Sequence, residues 1–153
     1  MRLCLKFPPI GRRCHVPSGG KPGCSSSDGE LTDKGNLPYT LNLLRLAEEN
    51  KNKAIALWTG KHLQLAAHVL EAGGEVTERC EMADKMIIVS SGYGEVESES
   101  PIGEGGRHFS VSPGYSTIIP AGAEHTLRST GSTPLRYYSV YTHPVLSYGE
   151  TVR

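Results

Sequence analysis

Histidine is the side chain of this sequence best suited to chemistry near neutral pH, because its imidazole can act as an acid, a base or a metal ligand. His62 and His68 lie six residues apart in the segment HLQLAAHVL. Side chains alternate between the two faces of a strand, so both histidines share a face with Gln64 and Ala66, and the opposite face is apolar. The pattern predicts one core face and one face that lines a cavity or an interface.

A further histidine, His125, follows two turns that bring it back on a strand. Gly114 allows the chain to turn into a strand, and Pro120-Ala-Gly122 provides the next tight turn. His125 then begins the segment HTLRS and is predicted to point into the interior of the fold.

The cysteines are not predicted to form a zinc site of their own. Cys4, Cys14 and Cys24 are spaced ten residues apart in the N-terminal segment, and Cys80 follows much later. Zinc knuckles and ribbons need two ligands on one tight turn, and no C-x-x-C pair is present. The N-terminal thiols are therefore expected to be reduced and to have no assigned function.

Short apolar segments separated by glycine or proline turns occupy most of the chain after residue 53. Such segments, with no long amphipathic helix between them, predict an antiparallel sandwich or barrel, for which a jelly roll is the natural candidate. Pro38 to Leu43 is predicted as a short strand, and Leu44 to Asn50 as two helical turns. The other predicted strands are AIALW (54 to 58), HLQLAAHVL (62 to 70), KMIIVS (85 to 90), GEVES (94 to 98), HFSVS (108 to 112), STII (116 to 119), EHTLRS (124 to 129) and LRYYSVYT (135 to 142).

Composition and charge narrow the class of protein. The 153 residues are enough for one ordinary domain, and sixteen basic and sixteen acidic residues cancel, so nucleic acid and anionic membranes are not expected partners. No apolar stretch approaches the roughly 20 residues of a transmembrane helix, and the N-terminus does not resemble a signal peptide. Residues 1–36 are rich in Gly, Pro and Ser and predict a disordered or loosely draped leader, followed by one domain over 37–153 in a cytoplasmic protein.

The segment from Gly114 to Ser129 resembles the second sequence motif of the cupin superfamily. That motif runs G, five residues, P-x-G, two residues, H, three residues, N, and only its last position is replaced here, by Ser129. With ALWTGKHLQL and PLRYYSVYTHP, residues 37 to 152 resemble small single-domain bacterial cupins of the kind named mannose-6-phosphate isomerase-like. The resemblance implies an all-β fold, a double-stranded β-helix or jelly-roll barrel, here with a short N-terminal helical turn.

The first cupin motif is altered in this chain. It supplies two histidines and a glutamate that join the histidine of the second motif around one divalent metal. Counting back from Gly92 places Lys85 at the position of the glutamate. One register then places Arg79 and Glu81 at the histidine positions and fits Gly73 at the start of the motif.

The other register places Glu78 and Cys80 at the histidine positions. In that register Glu78, Cys80 and His125 offer oxygen, sulfur and nitrogen ligands to one divalent metal, which would be iron, zinc, nickel or manganese. The resemblance leaves both registers open. An ion pair between Lys85 and Glu78 or Glu81, closing the former metal position, is the alternative to a metal site.

Two functions follow from these residues. The first is binding of a small polar ligand inside the barrel around His125, at a degenerate metal site, with His68, Glu81 and Tyr138 as ligand-binding residues. Here His125 and Lys85 are the candidate catalytic acid and base groups. The alternative is a metal-dependent cupin enzyme, either a sugar-phosphate isomerase or a dioxygenase. The resemblance also implies a homodimer.

Overall fold

Strands make up about half of the residues that the structure describes. The computed structural model describes residues 31–142 apart from 36, 101 and 104. Within that range the chain forms one helix and nine strands. They are α1 (Leu43–Glu49), β1 (Ala54–Thr59), β2 (Leu63–Leu70), β3 (Glu75–Arg79), β4 (Asp84–Ser91), β5 (Gly94–Ser98), β6 (Arg107–Val111), β7 (Ser116–Ile119), β8 (Glu124–Ser129) and β9 (Leu135–Thr142).

The strands form two antiparallel sheets whose facing sides enclose the core. The first sheet has the order β1-β2-β9-β4-β7, and the second has the order β3-β8-β5-β6. Ile87 and Val89 from the first sheet share one buried apolar cluster with Val96 and Leu127 from the second. The predicted all-β jelly roll with one short helical segment is therefore confirmed.

Two details of the predicted strand pattern were wrong. Pro38 to Leu43 does not form a strand, because Asn42 instead begins α1, its side-chain oxygen accepting a hydrogen bond from the Arg45 N–H at 3.1 Å. Strand β3 was missed, because Val76 is the only strongly apolar residue of EVTER. Pairing with β8 makes this segment a strand, and that pairing is not visible in local sequence.

The described end of the N-terminal segment contacts the barrel. The Lys34 N–H donates to the Leu57 carbonyl at 2.9 Å, and the Thr59 hydroxyl donates to the Asp33 carboxylate at 2.5 Å. Residues 33 and 34 therefore lie along the edge of β1. The prediction for residues 1–30 lies outside the described residues. No helix in the described part of the chain is long and apolar enough to cross a membrane.

Strand β9 lies in the middle of the first sheet and divides its side chains between two environments. Tyr137, Ser139 and Tyr141 alternate on one face, and Tyr138 lies on the other, against α1. The Tyr138 hydroxyl donates to the Leu43 carbonyl. Arg136 donates to the carbonyls of Ala47 and Asn50 at 3.0 and 2.5 Å, so β9 satisfies carbonyls at the end of α1 that have no partner within the helix.

The turn between β4 and β5 depends on a glycine. Gly92 has a φ of +84°, and a Cβ there would lie 2.6 Å from the Pro134 carbonyl oxygen and 2.9 Å from the Leu135 Cα. Both neighbours are backbone atoms and cannot move aside cheaply. Gly114 also has a positive φ, +90°, but nothing lies within 4 Å of the position of its Cβ.

We expect Gly92→Ala to lower the free energy of unfolding by roughly 3 kcal/mol or more, because a steric clash adds to the left-handed strain. Gly114→Ala is the matched control and should cost about 1 kcal/mol, from strain alone. Urea denaturation of both variants measures the difference. Equal losses for the two variants would contradict the close approach at Gly92.

Candidate functional site

Three side chains from three strands meet inside one end of the barrel. Glu78 on β3 pairs in register with His125 on β8, so both point inward side by side. Lys85 enters from β4 and donates to the Glu78 carboxylate, and its Nζ lies 3.2 Å from His125 Nε2. We call Glu78, Lys85 and His125 the Lys85 cluster.

Burial makes the charges of the Lys85 cluster interact strongly. The side chains of Lys85 and His125 are 3% and 2% exposed, whereas that of Glu78 is 21% exposed. Glu78 is thus the member that reaches solvent. The ring of Tyr141 covers the ammonium, with 5.3 Å between Nζ and the ring centroid, so its π face adds a further electron-rich surface.

The ammonium also sets the protonation of its neighbours. Burial raises the pKa of Glu78, but the charge of Lys85 and its hydrogen bond outweigh this and leave the pKa below the ordinary value. Burial, reinforced by the Lys85 charge, lowers the pKa of His125 to about 4. His125 is therefore neutral at pH 7.

The geometry also fixes which nitrogen of His125 carries the proton. An ammonium can only donate, so the ring nitrogen Nε2 accepts from Lys85 and the proton lies on Nδ1. Nδ1 is buried and makes no hydrogen bond of good geometry to the described residues, although the nearby Ala123 backbone partly offsets the lowering of the His125 pKa.

A second polar pair lies on the neighbouring strands of the first sheet. His68 on β2 shares a 2.6 Å hydrogen bond, from Nε2, with the hydroxyl of Ser139 on β9. Its ring stacks on Tyr137, with 4.8 Å between centroids and 9° between planes. Burial, with a smaller effect of Lys85, lowers the pKa of His68 to about 4, so this imidazole is also neutral at pH 7.

The structure brings His68, Lys85 and His125 into the barrel interior, but it does not bring Glu81 and Tyr138 there. The Glu81 side chain is 56% exposed and lies 4.0 Å from the Arg79 guanidinium. Tyr138 lies on the outer face of β9, under α1. Along β3 and the residues after it, Glu78 and Cys80 lie on the inward side, and Arg79 and Glu81 lie on the solvent side.

Sequence reasoning missed Ser139, which has no motif of its own. A signal was available, because alternation along LRYYSVYT places Ser139 on the same face as Tyr137 and Tyr141. Which of the two faces was interior became clear only from the packing of α1 on Tyr138.

The donor set does not fit a divalent metal. The Lys85 ammonium lies between the Glu78 carboxylate and His125 Nε2, and a cation there repels a second cation. Cys80 is disulfide-bonded, so its sulfur is not available as a thiolate. Among the described residues no group of three or more His, Cys, Asp or Glu side chains is placed to hold a metal ion.

Comparison with known proteins places this barrel in a family. A profile of the cupin domain matches residues 68–141. BH2720 from Bacillus halodurans, whose crystal structure is known, is 32% identical, with a TM-score of 0.67 over 74% of this chain and 86% of that protein. The chain belongs to the cupin family.

Two further proteins are similar to this cupin, but neither has a stated activity that can be transferred to it. The uncharacterized protein YrkC of Bacillus subtilis is 32% identical over 124 residues, which are 78% of this chain. The chain spans 64% of the length of YrkC. The cupin domain of Schizosaccharomyces pombe Cnp3 is 14% identical with a TM-score of 0.56, covering 65% of this chain and 72% of that domain, which shows a common fold alone.

The lowered pKa of His68 gives this cupin a specific acid sensitivity. The folded protein keeps His68 neutral down to about pH 4, whereas the unfolded chain protonates it below about 6.5. The stability that His68 contributes is therefore fully present above about pH 6.5 and is lost as the pH falls toward 4. When the pH is lowered from 7 to 5, protonation of His68 in the unfolded chain lowers the free energy of unfolding by about 2 kcal/mol.

We expect His68→Phe combined with Ser139→Ala to reduce this loss by about 2 kcal/mol, because the pair of changes removes the titrating ring and its partner together. Urea unfolding at pH 7 and pH 5 measures it. The control is His62→Gln, since His62 is exposed and precedes β2. An unchanged pH dependence in the double variant would contradict the buried neutral state of His68.

Proposed function

We propose that this cupin binds a small polar ligand without net charge inside the barrel, at the Lys85 cluster around His125. The observation that carries the proposal is a group of hydrogen-bonding side chains buried at one end of a small barrel, with one member, Glu78, still in contact with solvent. Enclosed sites with a few convergent polar groups are where small ligands bind most often.

The charge of the site favours a neutral ligand. Lys85 and Glu78 cancel each other, and His68 and His125 are both neutral at pH 7. An ionic ligand would bring an uncompensated charge into a buried site, which costs several kcal/mol. Hydroxyl and carbonyl oxygens, as in a sugar or a small aldehyde or ketone, can accept from Lys85 without that cost, and a hydroxyl can also donate to Glu78.

Binding is favoured over proton-transfer catalysis. A general base works best when its pKa is near the working pH, and the pKa of His125 is about 4. Its Nε2 lone pair also already accepts from Lys85. These two facts support a role for His125 and Lys85 in holding a ligand.

We also propose that this cupin forms a homodimer through the outer face of its first sheet. In register, Ile118 on β7 lies beside Met86 on β4, which lies beside Val140 on β9, and Leu65 on β2 continues this apolar row. Helix α1 packs over the part of the face that includes Leu65, but Ile118 is 68% exposed. An exposed apolar edge of this kind favours association with a second copy.

Binding is tested by a calorimetric screen of neutral monosaccharides, polyols and small carbonyl compounds, beside the same sugars as phosphates or carboxylates. We expect neutral compounds to bind and His125→Ala to weaken the binding about tenfold or more, which corresponds to one lost hydrogen bond. Thr126→Val, on the outer face of the same strand, is the control. Preference for the phosphates, or equal affinity in His125→Ala, would contradict the proposal.

The dimer is tested by light scattering coupled to size-exclusion chromatography. We expect Ile118→Lys to shift the protein to the mass of a monomer, because it places a charge in the apolar row. Phe109→Lys is the matched control, since Phe109 is 42% exposed but belongs to the second sheet. A wild-type monomer, or a dimer in the Ile118 variant, would exclude this face as the interface.

A further inference from the structure

Lys85 differs from every other lysine in the described part of the chain because it is buried. Its side chain is 3% exposed, whereas Lys34, Lys51, Lys53 and Lys61 are all exposed. A lysine withdrawn from water is the kind of amine that proteins use to form Schiff bases with carbonyl compounds. A carbonyl compound bound at the Lys85 cluster would lie beside this amine.

The partners of the Lys85 ammonium suit the formation of an imine. Nζ donates to the Glu78 carboxylate and to His125 Nε2. An ammonium has no lone pair, so it must give up a proton before its nitrogen can attack a carbonyl carbon. Glu78 can take that proton and return it, because its carboxylate contacts Nζ and its side chain, at 21% exposure, also reaches solvent.

The reaction keeps the charge of the site unchanged. Glu78 takes one ammonium proton, Nζ forms a bond to the carbonyl carbon, and the carbonyl oxygen receives the proton from Glu78. A second proton passes from Nζ to the same oxygen through Glu78, the bond between carbon and oxygen breaks, and water leaves. The protonated imine carries one positive charge, as the ammonium did, so the buried ion pair with Glu78 is preserved. No oxidant or reductant is needed.

The hydrogen bonds of the product specify which carbonyl compound fits. A protonated imine has one N–H, which donates to Glu78, so His125 Nε2 loses the donor that it has in the ammonium form. A buried acceptor without a donor is unfavourable. A hydroxyl on the carbon next to the carbonyl would lie three bonds from Nζ, and it could donate to Nε2, which is 3.2 Å from Nζ.

We infer that Lys85 captures small α-hydroxy aldehydes, the open-chain form of short sugars, as a protonated imine paired with Glu78 and hydrogen-bonded to His125. The inference rests on the proposed binding of a neutral ligand at the Lys85 cluster, and it names the class of that ligand and the bond that holds it. Capture is reversible, because water can hydrolyse the imine.

The test is trapping of the imine in wild-type protein at pH 7. The protein is incubated with glycolaldehyde and sodium cyanoborohydride, which reduces an imine to a stable amine, and its peptides are analysed by mass spectrometry. We expect labelling of Lys85 to exceed that of the exposed Lys61 on the order of tenfold, because the site holds the carbonyl beside Nζ. In urea, where the site is lost, the ratio should fall to about one.

Acetaldehyde tests the contact with His125, because it lacks the α-hydroxyl. The ratio of Lys85 to Lys61 labelling should be roughly fivefold lower than with glycolaldehyde, which corresponds to one hydrogen bond. Labelling of Lys61 corrects for the different reactivity of the two aldehydes. His125→Ala should remove the difference between them, whereas His62→Gln, which replaces an exposed imidazole, should retain it.

The two wild-type ratios decide the inference even if His125→Ala does not fold. Equal labelling of Lys85 and Lys61 would overturn imine formation, and equal ratios for the two aldehydes would overturn the choice of α-hydroxy compounds. Calorimetric binding of glycerol without preferential labelling of Lys85 would overturn the imine and leave the proposed ligand binding intact. If no neutral compound binds and Lys85 is not labelled, both proposals are wrong.

Discussion

The ion pair between Lys85 and Glu78 is the interaction on which the interior of this barrel depends. It holds the Glu78 carboxylate charged in spite of burial, and it occupies the acceptor nitrogen of His125. The same ammonium helps to keep His68 and His125 neutral. A buried charge without its partner would cost several kcal/mol, so the members of the cluster depend on one another and not on the surrounding apolar core.

Strand β9 makes this arrangement possible. Because its side chains alternate, one strand supplies Tyr141 and Ser139 to the polar interior and Tyr138 to the contact with α1. Polar and apolar residues are also divided along the barrel. One large apolar cluster, which includes Ile87, Val89 and Leu127, fills the interior beyond the Lys85 cluster. That cluster holds about half of the buried apolar residues in the described part of the chain, and the polar groups lie at the other end of the barrel.

Membership of the cupin family explains the barrel but not its chemistry. BH2720 and YrkC are each 32% identical to this chain, and YrkC is itself uncharacterized. A fold shared by many proteins carries different sites, and the site must be argued from its own residues. Here those residues are a lysine between a carboxylate and an imidazole, and the proposal of a neutral ligand rests on them and not on the family.

Sequence alone determined the all-β class, most of the strands and the position of α1, because alternation and glycine or proline turns are local signals. It also singled out His125 and Lys85, through motif spacing. Strand β3 was missed, since Glu75–Arg79 carries little apolar alternation and becomes a strand only by pairing with β8.

Tertiary structure alone decided which side chains share the interior. Glu78 faces inward and Glu81 faces solvent because of the pairing of β3 with β8, while Tyr138 is turned away from the site because α1 covers that face of β9. A shift of one residue in a strand exchanges its two faces, and no local pattern in EVTER or RYYSVYT specifies which face is enclosed. The sequence therefore determined the barrel fold, whereas the pairing of β3 and the packing of α1 decided which side chains face its interior.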